Sequence, residues 1–503
     1  MTLANHRQIA MGDALRFHAA RDPDAPAYTF DGVTLTRAQL ETNVAAAAAA
    51  LTRHGVKEGD VVSLMVPTGP HFIALTFALW RLGATPNPLS HRLTQIELSE
   101  LIGILKPRLV IGGDRSAANS ADWVPADFGS GALPDAETHR PSKVASPWKI
   151  GASGGSSGRP KLVVDAAPSL IDPYQPIAVL MMKVDDVILH PAPLYHTASF
   201  TQVCWGLCAG AHVIQVSRFS PREWLELVQR HKVRWAYLVP TMMSRISDLP
   251  EAERQTADLS SLEVVIHMAA PCPEWLKAAW IDWLGPERLW EVYGGTEGIG
   301  GTSIRGVEWL SHRGSVGRPA QPVQIRAEQG DALPPGEIGE ICFFVDPAHP
   351  THRLIGADPP SDVWQSYGDL GYLDSDGYLY LVDRRTDVII SGGVNLYPAE
   401  IESGLEAHPA ILSAVVVGLP HRDLQAVPHA VLQVAPDARP PATDELGQFL
   451  RRRLAPHKLP RTIEYTQVAL RDESGKTRRS RLRQERLDRL AAGERFLPLG
   501  SPS

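Results

Sequence analysis

Four stretches of the chain set charged, hydroxyl and glycine residues at spacings suited to phosphate chemistry. The first, GASGGSSGRPKLVV, runs from Gly151 to Val164. Gly154, Gly155 and Gly158 let backbone N–H groups turn toward an anion, Ser153, Ser156 and Ser157 add hydroxyl donors, and Lys161 supplies charge. It is neither a Walker A loop, since Pro160 precedes Lys161, nor a Gly-x-Gly-x-x-Gly fingerprint. On its residues alone it reads as well as a flexible Gly/Ser connection. The second, YGGTEGIGG at Tyr293–Gly301, puts the acid Glu297 after the hydroxyl of Thr296, as Mg²⁺ with phosphates would need. An ordinary turn is the other reading. In the third, Tyr367–Glu402, Asp369 and Arg384 could hold sugar hydroxyls, and Asp374–Gly377 is a hairpin turn. The fourth, ESGKTRRSR, contains Lys476, either a working cation or one charge more in a solvated basic tail.

Strands and helices alternate around these stretches, which implies α/β layers. Val61–Val66 reads as a buried strand, followed by the helix HFIALTFALWRLG closed by Gly83. The alternation repeats through HVIQV, REWLELVQRH and WAYLVP, then through LEVVIHMAA and PEWLKAAWIDWLG. Past about Ala320 the texture changes to short strands with Gly and Pro turns. From about Thr386 the chain reads as a small α+β unit with one strand, SAVVVGL. A helix carrying Leu446, Phe449, Leu450 and Leu454 on one face follows, and then a charged tail.

The 503 residues exceed what one hydrophobic core serves, so two or more domains are expected. A net charge of −7 argues against a nucleic-acid surface. The four cysteines are too few for a disulfide scaffold and fit a reducing compartment. Neither a secretion signal nor an apolar run long enough for a bilayer is legible, so a cytoplasmic location without integral membrane association is expected.

Taken in order, the motifs resemble the adenylate-forming enzymes, which include acyl-CoA synthetases, stand-alone adenylation domains and firefly luciferase. The similarity runs from RDPDAPAYTFDG through RLGATPNPLSHRLTQIELSELI, GSVGRPAQPVQI and LPPGEIGEI to SGKTRRSRLR. It implies a large multi-layer N-terminal domain over residues 1–384, with αβ layers and a small β-rich subdomain. A small mobile α+β C-terminal domain over residues 385–503 would turn on a hinge at Arg385–Thr386. It also implies attack of a carboxylate on the α-phosphate of MgATP, then transfer of the acyl group to CoA.

By that resemblance Ser153, Ser156, Ser157 and Lys161, with the glycines Gly155 and Gly158, lie along the β- and γ-phosphates. Thr296 contacts the α-phosphate, and Glu297 holds Mg²⁺. Tyr293 and Gly294, with the backbone of Ala269, Ala270 and Pro271, flank adenine, while Asp369 and Arg384 take the ribose. Lys476 matches the family's catalytic lysine. Gly392 and Gly393 let a pantetheine arm pass, and His196 stands in the wall of the acyl pocket; on its own it also reads as a core histidine. The resemblance leaves a homodimer open. Tyr367 departs from the Thr or Val usual before Gly-Asp, and Gly154 replaces a hydroxyl residue. The glycines Gly295, Gly300 and Gly301, with Ala198, imply room for a bulky cyclic, aryl or longer-chain acid. Transfer to a carrier protein or an amine, and a non-catalytic nucleotide-binding relative, are the alternatives.

Overall fold

Short continuous apolar runs form the middle of the molecule. Trp235–Leu238 and Val264–His267 are buried at every position, as strands covered on both faces must be. In this computed structural model, residues 8–91, 93–131, 141–153, 161–355, 362–391, 394–436, 438–472 and 475–499 are described. Six parallel strands lie side by side in the order Pro26–Phe30, His212–Gln215, Val187–Leu189, Trp235–Leu238, Val264–His267 and Leu289–Gly294. Helices such as Thr197–Cys208, Pro221–His231 and Glu274–Leu284 make the crossovers, because parallel neighbours cannot be joined by a tight turn.

The sheet changes direction after Leu289–Gly294. Gly301–Arg305 folds back antiparallel, with Gly294 opposite Gly301. Ser315–Pro319, Leu379–Arg384, Trp364–Leu373, Gly339–Phe344 and Val323–Arg326 continue it at one end, and Val33–Thr36 lies at the other, making thirteen strands among the described residues. The β-rich texture expected past Ala320 is this antiparallel half.

A second, four-stranded parallel sheet holds Thr85–Pro88, Val61–Met65, Leu109–Gly112 and Asp122–Val124. The helices Arg37–Arg53 and Pro70–Leu82 pack together, and every alanine of Ala45–Ala50 is buried, small enough for close approach. Thr36 and Gln39 form a capping box on the first helix, and Gly83, at φ 75°, closes the second. Ile150–Ser153 and Lys161–Asp165 pair antiparallel, with Ser153 opposite Lys161, and His352–Ile355 adds a third strand.

Residues 389–499 have a core of their own, centred on Ile401, Leu405, Val416, Leu432, Leu446, Leu450 and Ile463. Here the sequence expectation of one strand is corrected, and the charged tail, whose other reading was a solvated one, is seen to be folded. Among the described residues Ser413–His421 is one of six strands, and its partner Gln425–Gln433 also pairs with Thr462–Thr466. Pro428 disguises that partner, since proline usually argues against a central strand. The basic tail is the helix Arg479–Ala491, and its arginines are tied down: Arg479 pairs with Glu402, while Arg486 and Arg489 share Glu464. Among the described residues, no helix is long and apolar enough to cross a membrane.

Candidate active site

The candidate residues gather just past the carboxyl ends of the parallel strands, where open α/β sheets place their ligands. His196 follows Val187–Leu189 and stands at the N-cap of Thr197–Cys208, its Nε2 buried without a hydrogen-bond partner. Ala269, Ala270 and Pro271 follow Val264–His267. Ala269 has φ 76°, a left-handed conformation that costs a residue with a Cβ about 1 kcal/mol or more. Such strain persists where the surroundings fix the turn, often at functional sites. Gly294 ends its strand, and Gly295, Thr296 and Glu297 follow it.

Two close approaches bring distant segments to these strand ends. A Cβ placed on Gly151 would lie 2.8 Å from Thr197 Oγ1 and 3.2 Å from Thr296 Cγ2, so the first glycine-rich stretch begins against the second. A Cβ placed on Gly475 would lie 3.6 Å from Ala270 Cβ, Thr241 Oγ1 and Val239 Cβ. The turn next to Lys476 therefore rests on the ends of two parallel strands. Asp472 shapes that turn: its carboxylate accepts the Lys476 N–H at 3.0 Å, and its own N–H donates to the Lys476 carbonyl at 2.9 Å.

Solvent reaches Lys476 in the cleft, yet protein surrounds it. That enclosure, and then the Arg384 guanidinium, push its ammonium below the ordinary lysine range against the pull of Asp472 and Glu297. Burial first, and then the Lys476 charge, push the His196 imidazole well below its usual value, so it is neutral near pH 7. The structure thus places Lys476 within electrostatic reach of His196, Glu297 and Arg384.

Asp369 and Arg384 sit opposite each other on neighbouring strands, and Arg384 Nε donates to Asp369 Oδ1 at 3.2 Å. Tyr293 donates its hydroxyl to the other carboxylate oxygen at 2.8 Å. Burial and then Asp369 drive the Tyr293 phenol far above its usual value, so it stays protonated and keeps donating. Lys161 opens its strand opposite Ser153. Gly155, Ser156, Ser157, Gly158, Gly392 and Gly393 lie outside the described residues, as does the side chain of Ser153.

The room expected at the glycines is not there, because neighbouring side chains fill it at Gly295 and Gly300 and backbone fills it at Gly301. A Cβ on Gly295 would overlap the ring of Tyr367, one on Gly300 would overlap the Gln321 amide and the Phe343 ring, and one on Gly301 would press on the Tyr293 carbonyl. Tyr367, seen in the sequence only as a departure, was the signal for this filling. Asp472 was missed, its one sequence cue being an acid four residues before the lysine.

The donor set fits magnesium with phosphates. Mg²⁺ is commonly held by one or two carboxylates plus substrate oxygens, and Glu297 offers one carboxylate in a glycine-rich loop. Among the described residues, three metal-capable groups converge at His312, Asp374 and Asp376, but Asp374 already accepts the N–H groups of Asp376 and Tyr378 in its hairpin turn. A surface groove of about 550 Å³ lined by Arg222, Glu226, Arg230 and Glu253 holds none of the candidate residues.

Residues 15–344 match the family described as AMP-binding enzyme, and residues 400–476 match the AMP-binding enzyme C-terminal domain. A feruloyl-CoA synthase of Amycolatopsis sp is 32% identical over 482 residues, covering 92% of this chain and 96% of its own length. A fatty acid–[acyl-carrier-protein] ligase, ScoC of Streptomyces coeruleorubidus, is 29% identical over 96% of this chain and 98% of its own. Among solved structures, o-succinylbenzoate CoA synthetase (MenE) from Bacillus subtilis with its acyl-adenylate OSB-AMP superposes with a TM-score of 0.79 at 25% identity, covering 95% of this chain and 98% of that one. The same synthetase has been solved with ATP and a magnesium ion; it matches with a TM-score of 0.78 at 24% identity, over 95% of this chain and 100% of that one.

Proposed function

The chain belongs to the family of AMP-binding enzymes, and from that premise we propose that it activates a hydrophobic carboxylic acid with ATP and passes the acyl group to CoA. The observation that carries this reading is Lys476, brought from the far end of the chain to the strand ends that hold Thr296, Glu297 and His196. In the first step a substrate carboxylate oxygen bonds to the α-phosphorus of ATP. The bond from that phosphorus to the bridging oxygen breaks, and pyrophosphate leaves with the electron pair. In the second step the CoA thiol gives up its proton to solvent, its sulfur bonds to the acyl carbon, and AMP leaves with the electron pair of the broken carbon–oxygen bond.

The protein's part in the first step is to gather negatively charged groups and neutralise charge as it builds up. Lys476 faces the carboxylate and the α-phosphate, and Thr296 contacts the α-phosphate. Magnesium, held by Glu297, would draw charge from the phosphate oxygens. Ser153, Ser156, Ser157 and Lys161, with the backbone of Gly155 and Gly158, line the outer phosphates. Tyr293, Gly294 and the Ala269–Pro271 backbone flank the base, and the Asp369–Arg384 pair takes the ribose. Neutral His196 offers its unpartnered Nε2 to the acid without adding a second positive charge beside Lys476. Residues 1–384 form the adenylating domain, and residues 385–503 form a mobile domain that brings Gly392 and Gly393 to the thiol in the second step.

The feruloyl-CoA synthase relative supports an aryl or similarly hydrophobic acid. The carrier-protein ligase relative supports a second reading in which a pantetheinylated carrier replaces CoA. Pyrophosphate release should be measured across cinnamic, benzoic, medium-chain and long-chain acids, with thioester formation followed on CoA and on a carrier. An aryl or fatty acid is expected to release pyrophosphate and give acyl-CoA. Pyrophosphate release without acyl-CoA would refute the CoA reading, and no release with any acid would refute activation itself.

A further inference from the structure

Gly295 has no left-handed backbone that would demand glycine; the nearby Tyr367 ring is what leaves no space for a Cβ. The Tyr367 hydroxyl completes the fit. It donates to the Gly300 carbonyl at 2.8 Å and accepts the Gly300 N–H at 3.2 Å. The segment held in this way is the loop closed by the Gly294–Gly301 pair, with a turn from the Gly298 N–H to the Gly295 carbonyl at 3.1 Å. Thr296 and Glu297 sit inside that loop.

The same strand also grips the loop's stem. Tyr367 and Asp369 flank Gly368, whose φ of 81° lies where the register of Trp364–Leu373 with Gly339–Phe344 shifts, and both meet Tyr293. Asp369 accepts the Tyr293 hydroxyl, and the Tyr293 and Tyr367 rings meet edge to face with centroids 6.1 Å apart. The Phe343 ring packs against Tyr367 from the next strand, with centroids 5.9 Å apart.

We infer that Tyr367 is a positioning residue: its ring fills the side-chain space of Gly295 and its hydroxyl pins Gly300, which fixes the loop that presents Thr296 and Glu297. This deepens the proposed adenylation and rests on it for the roles of those two residues. It also makes Gly295 and Tyr367 a reciprocal pair, since bulk is allowed at one position only when it is absent from the other. A loop freed to shift by about 1 Å would cost on the order of 100-fold in rate through misplaced groups.

Four variants test the pair. Tyr367→Phe keeps the ring and loses the hydroxyl; it should melt close to wild type, lower kcat of pyrophosphate release about tenfold and leave KM for the acid within about twofold. Gly295→Met and Tyr367→Val should each lose about 100-fold, the first by collision and the second by leaving the loop unpinned. Gly295→Met/Tyr367→Val, which roughly conserves volume, should recover most of that loss, giving strong non-additivity. Hydrogen exchange over residues 294–301 should be faster in Tyr367→Phe than in wild type. Additive losses, or unchanged exchange in Tyr367→Phe, would overturn the inference. A wild-type chain that activates no acid would sink the proposed reaction alone, and the exchange comparison would still decide whether Tyr367 pins the loop.

Discussion

The large core and the core of residues 389–499 are assembled from different materials. The first buries Trp80, Trp224, Trp235, Trp280 and Trp309, and all twelve tryptophans of the chain precede residue 365. The second is aliphatic, with Phe449 and Tyr465 only partly buried at its margin. In the second region carboxylates sit under arginines: Glu402 beneath Arg479, Glu406 beside Arg471, and Glu464 between Arg486 and Arg489. The large core has ion pairs too, such as Lys277–Glu291 at 2.6 Å, but that one lies beside the Trp309 ring within an aromatic core. A small unit has less apolar surface to bury, so each enclosed charge pair carries a larger share of its integrity. The small region should therefore answer to carboxylate chemistry and the large one to side-chain volume.

Lys476→Ala should give the largest effect. It is expected to lower adenylate formation by about 100-fold or more, while thioester formation from supplied acyl-AMP largely survives. Tryptophan fluorescence and far-UV circular dichroism should melt as in wild type, because the role proposed for the lysine is chemical, while the packing of its turn on the strand ends is made at Gly475. A matching loss in both half-reactions would break that part of the comparison.

Glu464→Gln should come next. It leaves Arg486 and Arg489 without their shared carboxylate, and breaking such an enclosed pair costs about 3 kcal/mol. Hydrogen exchange should show residues 413–466 opening well before the tryptophan signal changes. Simultaneous loss of both regions would mean that their cores are not independent.

The smallest effect is a dependence on pH whose sign differs between two carboxylates. Burial first works against the Glu464 charge, but His429, Arg486 and Arg489 outweigh it and hold the carboxyl down to about 2. Its stabilisation is complete above an unfolded value near 4.5 and is lost as pH falls toward 2. Burial pushes Glu402 the other way, up to about 7, so its contribution is complete below about 4.5 and is lost as pH rises through 7. Urea unfolding followed by far-UV circular dichroism should show the small region firmer at pH 5 than at pH 8. Glu402→Gln should flatten that difference, and an unchanged slope would remove Glu402 from the account.

The parallel half of the large sheet was legible because runs such as WAYL and VVIH state their burial in their own composition. The motif residues were legible for a similar reason: glycine, hydroxyl and charge at short spacing describe a local chemical requirement. What stayed hidden depends on partners far along the chain. Gln425–Gln433 is a central strand only because Ser413–His421 and Thr462–Thr466 flank it, and Pro428 hides this locally. The tail arginines read as solvated because Glu402 and Glu464 lie 77 and 22 residues away from Arg479 and Arg486. Gly295 announces a missing side chain without saying which neighbour takes the space, so an apparent enlargement of the acyl pocket was the place of Tyr367.

Arg478 reaches Glu97 across 381 residues of sequence, at 2.9 Å, with both side chains substantially open to water. An ion pair so exposed is worth about 0.5 kcal/mol, which biases a two-state population by little more than a factor of two. At physiological salt, charges beyond about 8 Å are largely screened, so this bias also acts only at short range. A tie of that size cannot by itself hold Lys476 over the strand ends against thermal motion. Under the adenylation proposed above, a nucleotide bound beside Lys476 would supply a far larger bias by mass action, acting as the weight on the balance. Residence of the lysine in the cleft should then rise and fall with ligand concentration, and the ionic strength of the buffer should set its resting level.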